Sequence, residues 1–274
     1  ERDQDAWLRV LEQILPFVSN TDAAALQGVV EFLVARTVVT EPARVRAKCA
    51  SLASVTVTLL TEESTPKSAE PLLSGIIKVM QRLSRDFESE VRSTVAKTWL
   101  HWASTVEPEI QHEDALPILQ ALCQDDDPEV AQLAVHQGAL AAHKVKDGIG
   151  KDTLDICFSV FQGLIKTAQD HRVFPPAPSA KRSKSDPTLR LAELMGPCLF
   201  YGHSRLSDAQ LVACFELIRI LASSTSPAVR LALAQNIPAL ARVATSPGGC
   251  VEKDELCDAI LDGCVMIAAA GDTD

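Results

Sequence analysis

The chain has 274 residues, 47% of them hydrophobic but only 4% aromatic, and a formal net charge of −10. That acidic balance speaks against general nucleic-acid affinity, because phosphate backbones are held by compensating Lys and Arg, and it points instead to basic partners. No uninterrupted apolar run reaches the ~18 residues a membrane span needs, and the start lacks a secretory n-region followed by an h-region, so a soluble intracellular protein is expected.

The apolar periodicity predicts helices throughout. Asp5 to Val18 places Trp7, Leu8, Leu11, Ile14, Leu15 and Val18 on one side. Thr21 to Arg36 and Pro42 to Leu60 form a first full helix pair, with Thr40 or Glu41 near the second cap. Ser68 to Leu83 and Phe87 to Ser104 form the next, and Trp99 and Trp102, three apart on that second helix, are surface neighbours of which at least one is expected to be buried.

From His101 to His143 there are 43 residues without a Lys or Arg, while Glu107, Glu109, Glu113, Asp114, Asp125, Asp126, Asp127 and Glu129 all fall inside. This block reads either as a solvated edge, where carboxylates favour helix N-termini, or as an acidic docking patch for a basic peptide or subunit. The docking candidates are Glu107, Glu109, Glu113, Asp114, Asp125 and Asp126, whereas Asp127 before Pro128 is expected to cap a helix. Asp125 to Asp127 are consecutive and lack the alternate spacing of a Ca²⁺ loop.

Asp152 to Ala168 is amphipathic through Leu154, Cys157, Phe158, Phe161, Leu164 and Ile165. The segment that follows, HRVFPPAPSAKRSKS, has linker composition and reads as a loop insertion at about 171–185. Its Lys181, Arg182 and Lys184 are similar to a monopartite nuclear localisation signal, with a plain flexible insertion as the alternative. Ser207 and Gln210 suggest a capping box for the next helix, and Ser226-Pro227 starts another, in which Val229, Ala232, Leu233, Ile237, Leu240 and Ala244 share a face around an interior Pro238. Val251 to Ala269 begins a further pair after the Gly248-Gly249 turn.

Several second helices share one layout. Val45-Arg46, Val91-Arg92, Val130-Ala131, Leu189-Arg190 and Val229-Arg230 recur at intervals of 46, 39, 59 and 40 residues, the long one accommodating the insertion. The remaining intervals fit the roughly 40–47-residue period of HEAT and armadillo units. Over nearly its whole length the chain resembles the HEAT-repeat family, in which a capped, often proline-started second helix carries a Val-Arg near its beginning. Arg46, Arg92, Arg190 and Arg230 match that arginine, and Ala131 departs from it. The resemblance implies an all-α, HEAT/armadillo-like α-solenoid of about five to six helix pairs. It would form a single helical-repeat segment over 1–274, part of a larger protein.

The sequence offers no catalytic constellation. Cys250, Cys257 and Cys264 are seven apart, which on one helix separates successive sulfurs by about 10 Å, too far for one tetrahedral ion. His136 and His143 share that spacing, and Cys198 with His203 lacks an orienting third group. No cofactor is expected, and the eight cysteines are expected to be reduced thiols packed mostly as small hydrophobes. The resemblance implies a non-catalytic interaction scaffold, while the charge and the lack of a long apolar run lead to the expectation of no direct contact with nucleic acid or membrane. The irregular repeats and proline-rich insertion fit the solenoid arm of a phosphatidylinositol-3-kinase-related checkpoint kinase. Alternatives are a transport-receptor or phosphatase-scaffold segment binding basic peptides, and a regulatory domain of an enzyme whose catalytic part lies outside this chain.

Overall fold

The computed structural model describes residues 23–61, 70–144, 152–157, 159–160, 187–202 and 208–245, with a few single positions besides. The expected insertion with Lys181, Arg182 and Lys184, the Ser207 capping box and the helix from Val251 lie outside the described residues. Every regular element among the described residues is helical. The helices are α1 (Ala23–Arg36), α2 (Ala43–Leu60), α3 (Glu70–Leu83), α4 (Ser89–Ala103), α5 (Pro108–Ile110, Gln111–Ala115 and Leu116–Cys123 in continuous succession), α6 (Pro128–Lys144), α7 (Pro187–Gly202), α8 (Asp208–Ala222) and α9 (Pro227–Thr245). None is long and apolar enough to cross a membrane.

The chain divides into two compact units. The first holds Glu1–Asp125, Glu129–Gln137 and Asp147–Ile149. In it α2 packs chiefly on α4, α1 touches both α2 and α3, and α4 packs on α5. Its core includes Leu26, Leu33, Val45, Cys49, Val57, Ile76, Met80, Val91 and Leu119. Both tryptophans of α4 are fully buried, one more than the sequence required.

Trp99 fixes the entry of α5. Its Nε1 donates to the carbonyl of Ala115 at 2.8 Å, inside a turn wound as a π-helix over Gln111–Ala115. Pro117 has no amide hydrogen to give the carbonyl of Glu113, four residues back. Just before it, Leu116 N–H bonds to Gln111 O, five back, which widens the turn. Buried Gln111 closes the preceding loop by donating Nε2 to Val106 O at 2.9 Å. Trp102 Nε1 is buried without a partner among the described residues.

The second unit comprises Asp126–Pro128, Gly138–Lys146 and Gly150–Asp274. Here α7 packs chiefly on α9, and α8 lies on both. Leu191, Met195, Phe215, Ile218, Leu221, Val229, Leu233 and Leu240 form one continuous core. Helix α9 runs through Pro238, which is exposed.

Asn236 joins α9 to α7. Its Nδ2 donates to Ala192 O at 2.8 Å and reaches Glu193 O at 3.3 Å. Pro197 has no amide hydrogen for the Glu193 carbonyl, so the carboxamide brings a donor to a gap in the ladder. The approach requires Gly196, because a Cβ there would overlap the Asn236 side chain.

Candidate protein-binding surface

The repeated arginines are the best-defined polar groups of the first unit. Arg46 forms a bidentate pair with Asp86 through Nε–Oδ2 at 2.7 Å and Nη2–Oδ1 at 2.8 Å, and its Nη1 donates to the carbonyl of Glu41. Arg92 does the same 46 residues on, with Asp125 at 2.7 and 2.9 Å and with the carbonyl of Asp86 at 2.7 Å. Arg230, in the second unit, repeats the carbonyl half of this geometry, with Nη1 at 2.8 Å from Ser224 O. Each arginine thus closes the loop before its own helix, and the first two also grip the loop of the next pair.

Both bridges are enclosed: side-chain exposure is 2% and 6% for Arg46 and Asp86, and 16% and 8% for Arg92 and Asp125. Burial pushes the Asp86 carboxyl up, but Arg46, the Glu88 amide and the Arg92 charge outweigh it and hold the group below its ordinary value. Asp86 raises Arg46 in turn, against the opposing effect of burial. Phe87 covers the pair from outside, its ring centroid 4.7 Å from the Arg46 guanidinium.

These bridges correct the expected docking patch. Asp125 is a bridging residue inside the fold and not an exposed carboxylate. The sequence stretch without Lys or Arg receives its cation from α4. Asp114 is half-buried and accepts from Gln81 Nε2 at 2.6 Å. Burial and the charge of Glu113 push its carboxyl up, while Lys78 of α3 pulls the other way. Glu107, Glu109 and Glu113, on and just before α5, remain exposed, as does Asp126 in the second unit. The cap expected near Thr40 or Glu41 is also different: Pro42 stands at that position without a side-chain bond, and Glu41 pairs with Arg36 at 2.8 Å.

Asp86 was not singled out from sequence, although it precedes Arg92 by six residues, just as Asp125 precedes Ala131. The described cysteines Cys49, Cys123, Cys157 and Cys214 are buried and stand outside any disulfide. Burial pushes Cys49 and Cys214 up to about 12, Glu41 adding to the effect at Cys49, so neither is a ready nucleophile. His136 is half-buried and its pKa is lowered by burial.

No protein-family model matches the chain, and no curated protein matches it. Among solved structures, the crystal structure of an engineered protein from the Northeast Structural Genomics Consortium is similar over 88% of this chain and 96% of its own, at 15% identity and a TM-score of 0.41. A likeness at that level carries no argument about what the chain does.

Proposed function

We propose that this chain is a non-catalytic HEAT-type scaffold segment of a larger protein, receiving a basic partner on the exposed carboxylates of α5. The observation that carries this reading is the recurrence of one bridge. Arg46 and Arg92 each hold an aspartate of the following loop, 40 and 33 residues on, while second helix packs on second helix. Repeats joined only to their neighbours build extended surfaces for long partners. Glu107, Glu109 and Glu113 then give that surface its sign, and such a field steers cationic partners. A checkpoint-kinase arm is the setting that the irregular repeats and the insertion favour.

The test reverses the three exposed residues together, Glu107→Lys, Glu109→Lys and Glu113→Lys. Helicity should be unchanged, and capture of basic proteins from cell extract should fall at low salt more than at moderate salt. Recovery of the same partners by the reversed protein at both salt levels would refute the reading.

A further inference from the structure

Helices α3 and α5 leave between them an open groove of about 130 Å³. On one side it is lined by Gln81, Ser84 and Arg85 and on the other by Asp114, Pro117 and Ile118. Two of the polar groups are already committed: Ser84 Oγ donates to Gln81 O at 2.8 Å, and Gln81 Nε2 donates to Asp114 Oδ1. The second carboxylate oxygen of Asp114 accepts nothing among the described residues. An ionised carboxylate can only accept, so the group that completes it must be a donor. The α5 wall beyond it is apolar, carried by Pro117, Ile118 and Ala121. A free acceptor at one end of a short apolar wall is the complement of a long aliphatic stem tipped by a cation. Charge favours the same occupant. Glu113 adjoins Asp114, and Glu109 and Glu107 follow toward the start of α5, all exposed.

We propose that this groove takes one lysine or arginine side chain of the basic partner, its head on Asp114 and its stem along Pro117 and Ile118. This rests on the function proposed above and names the residue that anchors it. Arg85 limits the occupancy to one cation: it is exposed, in the turn just after α3, and would repel a second basic group entering the same groove.

Labelled hexalysine and hexaarginine peptides, titrated against the full chain by fluorescence anisotropy, test this. Asp114→Asn keeps an acceptor for Gln81 and removes only the charge. Ala121→Trp fills the groove and leaves every charge in place. Both variants should weaken peptide binding about five-fold, with circular dichroism and thermal midpoint near those of the parent. Arg85→Gln should tighten it. If both groove variants bind like the parent while the triple reversal of Glu107, Glu109 and Glu113 loses binding, the groove is not the anchor and the surface reading stands. If the triple reversal also binds like the parent, both readings fall.

Discussion

Arg92 donates to the backbone carbonyl of Asp86, the same residue whose carboxylate holds Arg46. One aspartate therefore ties α2 to α4, its side chain bonding the first and its main chain the second. The series continues through Arg92 to Asp125 and stops there, because buried Ala131 stands where the next arginine would be. Neither charge of the Arg46 pair is accessible, so the pair is stable only intact.

Arg46→Leu should destabilise the first unit by about 3–5 kcal/mol, since it leaves Asp86 ionised in a dry site without its partner. Asp86→Leu should cost a comparable amount. The double variant Arg46→Leu, Asp86→Leu should be closer to the parent than either single one, because no uncompensated charge remains. Urea unfolding of the four proteins gives the coupling energy, and strictly additive losses would contradict a direct pair.

Acid should act through the same residue. The folded Asp86 carboxyl lies below its unfolded value of roughly 3.9, so its contribution is fully present above that pH and is lost as pH falls through the folded value. Asp114 works in the opposite sense. Its folded value is raised, so its contribution favours folding below the unfolded value and is lost as pH rises through the folded one. Asp86→Asn should flatten the acid limb of the stability curve, and Asp114→Asn should steepen it, measured as thermal midpoint against pH between about 2.5 and 6.

Charge reversal separates bridging carboxylates from surface ones. Asp125→Lys sets a cation against Arg92 and removes two charge-assisted hydrogen bonds, at a cost of about 2–3 kcal/mol. Glu113→Lys, on an exposed position, should stay within about 0.5 kcal/mol of the parent. Equal thermal midpoints for the two variants would show that the Arg92 bridge contributes nothing.

In the second unit, Gly196→Ala should cost about 1–3 kcal/mol, because the new methyl group displaces the Asn236 carboxamide from the α7 carbonyls. Asn236→Ala alone should cost about as much, by withdrawing the donor. The double variant should cost less than the sum, since the methyl group then meets no carboxamide. Calorimetric midpoints decide this, and a fully additive double variant would mean that the two residues do not meet.

The sequence by itself determined the helices, their apolar faces and the places where the layout repeats. Those features come from spacings of three and four residues, which backbone geometry converts directly into faces. Thus α2 and α4 begin within two residues of their expected starts, and Val229, Ala232, Leu233 and Leu240 of α9 are buried on the expected face. Even the six-residue step from Asp86 to Arg92 was legible as a spacing, though it had no meaning without a partner. Only the tertiary structure decided which charges are free. Asp125 sits in a stretch empty of Lys and Arg, yet its cation comes from Arg92, 33 residues earlier. Likewise Asp114 is half-buried and held by Gln81 of α3, while Glu113 beside it stays exposed. Charge counted along a chain measures density in one dimension, whereas neutralisation, burial and the groove beside Asp114 depend on which helix lies next to which in space.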